Sequence, residues 1–243
     1  MSSTTFNNIK RILHDFFFAP KANCLGCSSA LGAVKGFLCP DCYASLMPLY
    51  TTHEGVKPIC IGCGREITSV RCACKKHVKS AVKTYSAYHF ELPSSTLIKA
   101  FKYRSVTSLT EWITDEMILA LKGERDFDIV TFVPMHFLRR IHRGYNQAEL
   151  LAGMISAKLN LPLESTLVRR RFTRKQATLS GRKRRTNLIH AFDIKSTDIK
   201  GKRILLVDDV RSTGTTIISC AQVLLNNSAR SVSALTFACG RSK

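Results

Sequence analysis

A short stretch near the C-terminus constrains this chain more than any other. Ile204-Leu205-Leu206-Val207 is followed by two acids, Asp208-Asp209, and then by Val210-Arg211-Ser212-Thr213-Gly214-Thr215-Thr216. The apolar run reads as a strand covered on both faces, as in parallel sheets. A helical stretch, Thr215–Leu225, follows the turn, and Asn226-Asn227 stops it. Open parallel sheets bind ligands at the carboxyl ends of their strands. A helix starting there directs free N–H groups and the positive end of its dipole at an anion. Gly214 lets the backbone approach a phosphate, and Ser212, Thr213, Thr215 and Thr216 add hydroxyls. Two carboxylates suit a ribose diol, because each accepts from a hydroxyl. Two rival phosphate motifs fail. No Gly-Lys-Thr follows, so this is not a P-loop. A receiver-type acid pair needs several βα units after it, and only one helix and one strand are expected beyond Asp209.

The rest of the chain fits an α/β domain behind a small appendage. Before residue 80 the chain is rich in Cys, Gly and Pro; after it, strand and helix patterns alternate. Strands are expected at Val82–Phe90, Phe127–Val133, Arg203–Val207 and Ser231–Ala238. Helices are expected at Ser94–Tyr103, Leu109–Leu121 and Tyr145–Leu159. The alternation implies a mostly parallel sheet with covered faces. The expected domains are residues 1–79 and 80–243. No window of about 18 apolar residues occurs, which predicts no membrane insertion. The N-terminal Phe16-Phe17-Phe18 stretch is short and broken by charge, unlike a signal peptide, so a cytoplasmic protein is expected.

Eight of the ten cysteines lie between Cys24 and Cys74. They form two similar halves: Cys24-x-x-Cys27 with Cys39-x-x-Cys42, and Cys60-x-x-Cys63 with Cys72-x-Cys74. A two-residue gap lets two sulfurs of one tight turn reach a single tetrahedral ion, and Gly26 and Gly62 permit that turn. Two structural zinc sites are expected, each with four thiolates and no open position for catalysis. Consecutive and interleaved pairings both satisfy the spacing. Disulfides fit poorly without a secretory signal, and an iron–sulfur cluster is the remaining alternative. Cys220 and Cys239 stand in apolar surroundings and read as buried bystanders.

Net charge is +20, from 37 Lys and Arg against 17 Asp and Glu, which points to a polyanionic partner. The basic residues concentrate. Arg169, Arg170, Arg171, Arg174, Lys175, Arg182, Lys183, Arg184 and Arg185 fall within seventeen residues that hold no acid, in a stretch expected to be a loop. They form either a solvated face or a track for a nucleic-acid backbone. Phe172 within this run is a stacking platform or ordinary packing. Arg139, Arg140 and Arg143 form a second cluster, suited to pyrophosphate oxygens.

The motifs together resemble a known family. The strand, acid pair and Thr-rich glycine turn are similar to the 5-phosphoribosyl-1-pyrophosphate (PRPP) signature of type I phosphoribosyltransferases. Val133-Pro134-Met135-His136, with Arg139-Arg140 and Arg143-Gly144-Tyr145-Asn146-Gln147, and Arg174-Lys175-Gln176-Ala177-Thr178-Leu179-Ser180, with Arg185-Thr186-Asn187 and Ala191-Phe192, extend the likeness. With the double cysteine quartet in front, the chain resembles the ComF/ComFC competence protein family, also described as GntX-like. The resemblance implies a type I phosphoribosyltransferase-like sheet behind a zinc-ribbon module. It implies that Asp208 and Asp209 hold the ribose hydroxyls with Mg²⁺, and that Thr213–Thr216 cradle the 5′-phosphate. Arg211 would add charge beside that phosphate, in place of a variable family residue, and Ser212 stands where threonine is usual. Met135 and His136 fall where the family's pyrophosphate loop lies, and Lys102 matches a Lys-aromatic pair. The implied role is a cytoplasmic competence protein that binds PRPP and single-stranded DNA during natural transformation. A DNA helicase or an inner-membrane DNA-translocation protein would be its partner. The alternatives are a genuine phosphoribosyltransferase acting on a base or amine, and a PRPP-sensing scaffold for a helicase.

Overall fold

The computed structural model describes residues 23–29, 37–52, 55–60, 67, 81–103, 109–170, 191–195 and 199–241. Its elements in chain order are α1 (Pro40–Ala44), β1 (Val56–Cys60), β2 (Ala81–His89), α2 (Ser94–Tyr103), α3 (Leu109–Ala120), β3 (Ile129–Phe132), α4 (Phe137–Arg143) and α5 (Gln147–Leu159). They continue with β4 (Leu167–Arg169), β5 (Phe192–Ile194), β6 (Arg203–Arg211), α6 (Thr215–Asn226) and β7 (Ser231–Cys239). The chain divides into two compact units. One comprises Met1–Met47 and Glu91–Thr110, the other Pro48–Phe90 and Glu111–Lys243.

In the first unit, α1 starts at Pro40, whose fixed φ suits a first helical turn. The Cys39 sulfur caps this helix by accepting from the Cys42 N–H. Leu97, Ile98 and Phe101 of α2 recur at helical spacing and are buried.

The second unit is built on a five-stranded sheet of order β1-β2-β7-β6-β3. The β2–β7, β7–β6 and β6–β3 pairs are parallel, and β1 runs antiparallel at the edge. This is the mostly parallel α/β sheet expected from the alternation of elements. The strand β1 lies within the cysteine-rich stretch, yet Val56 to Cys60 pair with Tyr85 to Ala81 of this sheet. The interior strands read as continuous apolar runs because both faces are covered: Ile204, Leu205, Leu206 and Val207 are all buried, as are Ala234, Leu235 and Phe237. Aromatic packing closes one part of the core. Tyr88 lies 5.2 Å from Phe237 and 6.4 Å from Trp112 between ring centroids, and Trp112 meets Phe237 edge-on at 5.7 Å. The Tyr88 and Tyr50 hydroxyls both donate to buried Glu116, at 2.6 and 2.8 Å. Burial and then this carboxylate push the Tyr88 hydroxyl well above the usual phenol range. A separate antiparallel pair, β4 with β5, joins Leu167–Arg169 to Phe192–Ile194. Among the described residues no helix is long and apolar enough to cross a membrane.

Candidate functional site

The strand β6 carries the site. It runs to Arg211 rather than stopping at Val207, because β7 continues alongside it: Asp208 pairs with Thr236, Val210 with Ala238 and Arg211 with Cys239. Both acids are therefore strand residues. Successive strand side chains leave on opposite faces, and burial follows that alternation. Asp208 and Val210 are half-buried, whereas Asp209 and Arg211 are buried. The two carboxylates thus flank the strand end from different sides, with Asp208 the more open. The Asp209 N–H donates to Asp208 Oδ1 at 2.9 Å, which holds that carboxylate against the backbone.

The turn Ser212-Thr213-Gly214 leads into α6. Gly214 is in the left-handed region, φ +73°, and serves as N-cap with no side chain closing the helix start. The first N–H groups of α6 therefore have no cap of their own and suit an anion. Ser212 and Thr213 are exposed, Thr215 and Thr216 half-buried, and the Thr213 and Thr215 hydroxyls lie 2.9 Å apart. Gly240 braces the turn from β7. Its N–H donates to the Arg211 carbonyl at 2.8 Å, and a Cβ there would stand 3.1 Å from the Ser212 carbonyl oxygen. Sequence reasoning misses this supporting role, for which the only signal is a glycine just past the last strand.

The neighbouring parallel strand delivers a second group to the same sheet edge. Phe132 of β3 is opposite Val207, and the Val133 N–H donates to the Val207 carbonyl at 3.0 Å. Met135 and His136 follow directly and are half-buried. The His136 ring caps α4, its Nδ1 accepting from the Leu138 N–H at 3.3 Å. Buried Asn146 ties the far end of this segment back, donating to the Val133 carbonyl at 3.1 Å and capping α5. Of the three arginines on α4, Arg139 and Arg143 are half-buried and Arg140 is exposed. Arg143 donates to Gln147 at 3.2 Å, and Arg140 lies 3.3 Å from Glu149. Tyr145 is half-buried, and burial raises its hydroxyl.

Arg169, expected on a nucleic-acid track, lies at the end of β4 and is half-buried. Its guanidinium lies over the Phe192 ring, 5.2 Å from the centroid, because β4 and β5 pair these two residues. Burial and then the charge of Arg139 draw its pKa below the usual value, while Asp208 counters them. Arg170 is exposed and ion-paired to Asp193 at 3.0 Å. Arg171, Arg174, Lys175, Arg182, Lys183, Arg184 and Arg185 lie outside the described residues, as does Phe172. Lys102, in the last turn of α2, belongs to the other compact unit and is half-buried.

The first cysteine quartet is assembled in that other unit. The sulfurs of Cys24, Cys27, Cys39 and Cys42 lie within 4.8 Å of one another. Tetrahedral Zn–S bonds of about 2.3 Å require sulfurs about 3.8 Å apart, and Cys27 and Cys39 are separated by 3.8 Å. The N–H groups of Gly26 and Cys39 both donate to the Cys24 sulfur at 3.2 Å. Burial opposes ionisation of Cys24, yet the Cys39, Cys27 and Gly26 N–H groups outweigh it and bring the thiol down to about 6. Ser29, 3.1 Å away, lowers Cys27. Burial and the neighbouring thiols drive Cys42 far upward. Thiolates this close oppose one another, and a divalent ion would favour the thiolate form of all four. Gly26 is required, since a Cβ would fall 2.7 Å from the Cys42 sulfur. These residues fit a closed structural zinc site. Of the second quartet, Cys60 is buried at the end of β1, while Cys63, Cys72 and Cys74 lie outside the described residues. Cys220 and Cys239 are buried, as expected, and burial raises the Cys220 thiol.

Comparison with known proteins agrees with this geometry. Residues 146–243 match the phosphoribosyl transferase domain family. Competence protein F of Haemophilus influenzae is 29% identical over 213 residues, 83% of this chain and 90% of that protein. The DNA utilization protein YhgH of Escherichia coli is 28% identical, over 79% of this chain and 93% of its own length. Competence protein ComFC of Bacillus subtilis is 28% identical, over 88% and 82%. The chain is a homologue of these competence and DNA-utilization proteins. Its C-terminal part, residues 146–243, matches a phosphoribosyl transferase domain, and a cysteine cluster consistent with a zinc ribbon precedes it. A solved structure of the allosteric regulatory enzyme of purine biosynthesis is 24% identical over 54% of this chain and 26% of its own, with a TM-score of 0.35.

Proposed function

We propose that this chain is a DNA-uptake and DNA-utilization protein that binds PRPP with Mg²⁺ at the β6–α6 loop and holds single-stranded DNA on its basic surface. The observation that carries the first half is the join of β6 to α6. Two carboxylates flank a strand end, and a left-handed glycine leads into a helix start that no side chain caps. Asp208 and Asp209 would accept from the ribose hydroxyls and hold Mg²⁺, which neutralises charge on the pyrophosphate when bound. The hydroxyls and N–H groups of Thr213 to Thr216 would take the 5′-phosphate. Arg139 and Arg169 would meet the pyrophosphate, since guanidinium forks suit its oxygens. The second half rests on the net charge of +20 and on the names of the homologues, which concern competence and DNA utilization. The zinc quartet would fix its own fold and take no part in chemistry.

The test is fluorescence anisotropy of labelled single-stranded DNA at two salt concentrations, with and without Mg²⁺–PRPP. The proposal expects salt-sensitive binding that PRPP alters, and expects Asp208→Asn/Asp209→Asn to abolish the alteration. DNA binding indifferent to PRPP, or none at moderate salt, contradicts it. In the latter case release of pyrophosphate with base or amine acceptors becomes the competing account.

A further inference from the structure

The helix α4 is out of keeping with its neighbours. It has seven residues, Phe137-Leu138-Arg139-Arg140-Ile141-His142-Arg143. Three of them are large, apolar and open to solvent: Phe137 at 69%, Leu138 at 53% and Ile141 at 65%. Positions i and i+4 lie on one face of a helix, and i+1 lies beside them. The three side chains therefore form one outward patch, a feature that marks an interaction site on a protein surface. The helix is held at both ends. His136 caps its start, Gly144 at φ +81° ends it and donates its N–H to the Arg140 carbonyl, and Asn146 anchors the following turn to β3. The patch is thus displayed on a fixed element that follows β3, the strand paired with β6.

Charge decides what covers it. Three arginines and no acid lie on α4 itself; Glu149 of α5 offsets one of them, 3.3 Å from Arg140, so the surface stays positive, with Arg139 and Arg143 on the less exposed side. A second copy of this chain, also at +20, meets this surface with like charge. A single-stranded nucleic acid does not: its phosphates match the arginines, and its unpaired bases need an exposed ring on which to stack. We infer that α4 is a single-stranded DNA platform, with Phe137 stacking a base, Leu138 and Ile141 widening the apolar floor, and Arg140 and Arg143 taking the flanking phosphates. This inference rests on the DNA-binding half of the proposed function and gives it a location separate from the basic run 171–185.

The experiment compares wild type, Phe137→Ala and Phe137→Trp. Labelled oligothymidylate is titrated alongside an abasic oligonucleotide of the same length and charge. Loss of one stacked base corresponds to a weakening of about 5- to 150-fold. Phe137→Ala is expected to weaken oligothymidylate binding by that factor, to leave abasic binding within about twofold, and to leave thermal stability unchanged. Phe137→Trp should keep the affinity, and oligothymidylate but not the abasic strand should quench its fluorescence. If wild type binds and Phe137→Ala binds equally well, the location is overturned and the DNA-binding proposal survives. If wild type fails to bind oligothymidylate even at low salt, both fall. A dimer in sedimentation that Ile141→Glu splits would assign the patch to a second copy. Binding to phosphatidylserine vesicles that depends on Phe137, with oligothymidylate binding unaffected, would assign it to a membrane surface.

Discussion

Replacing Gly214 by alanine tests the phosphate turn at its most constrained atom. Gly214 adopts φ +73°, and a Cβ there would lie 3.2 Å from Ile59 Cδ1 and 3.8 Å from Ile218 Cδ1. Two costs follow. A non-glycine residue in the left-handed region loses about 1–2 kcal/mol. The contact with Ile59 adds less, since the atom approached is the end of a flexible side chain that can yield by tenths of an ångström. The total should be about 1–2 kcal/mol, seen as a fall in Tm of about 2–8 °C for a chain of this size. Ile59→Val separates the two costs, because valine lacks Cδ1. In that background Gly214→Ala should cost nearly as much as in wild type. Urea denaturation of the four proteins closes the cycle. If the cost vanishes with Ile59→Val, crowding rather than backbone strain governs the turn. If Gly214→Ala is neutral in both, the turn is not held as described. Gly214→Asn should be milder than alanine, because asparagine tolerates this conformation better.

Further outcomes are expected elsewhere. Cys39→Ser should lower bound zinc, measured by elemental analysis, by about one ion per chain, and Gly26→Ala should do the same through its collision with the Cys42 sulfur. In metal-free protein, Cys24 should ionise with a midpoint near 6 by ultraviolet thiolate absorbance; its folded pKa lies below the ordinary 9.0, so its stabilising contribution is complete above 9.0 and is lost as pH falls through about 6. A midpoint near 9 would show that the N–H groups do not point at its sulfur. Glu116→Ala should destabilise the second unit by about 2–4 kcal/mol in urea, since it strands two tyrosine hydroxyls that donate to this buried carboxylate. Asp128→Asn should cost less, about 1 kcal/mol, because its paired contacts with Arg203 at 2.6 and 3.0 Å are half-exposed.

The sequence carried the site further than its boundaries suggest. The apolar run and the glycine turn placed the start of β6 and the start of α6, because each is a local pattern with its own chemistry. The pattern could not say where β6 ends. Asp208, Asp209 and Arg211 look like loop residues until β7 pairs with them, and that pairing is non-local. The edge strand β1 was hidden for the same reason: Val56–Cys60 contains a proline and a cysteine, and only its register with β2 makes it a strand. The first cysteine quartet was legible from spacing alone. Arg169 was grouped with its basic neighbours because charge runs carry no directional information; its place over the Phe192 ring follows from the non-local pairing of β4 with β5. The α4 helix escaped notice since seven residues show too few turns for a periodic signal, and its apolar residues face outward.

Isothermal titration of Mg²⁺–PRPP into the protein tests the central claim most directly, with Asp208→Asn/Asp209→Asn and ribose 5-phosphate as controls. Saturable binding by wild type, weaker binding of ribose 5-phosphate and loss of PRPP binding in the double variant, with its fold intact by circular dichroism, is the expected result. Absence of PRPP heat in a folded, zinc-loaded wild-type protein, or equal binding by the double variant, would contradict the assignment of the β6–α6 loop as a phosphoribosyl site.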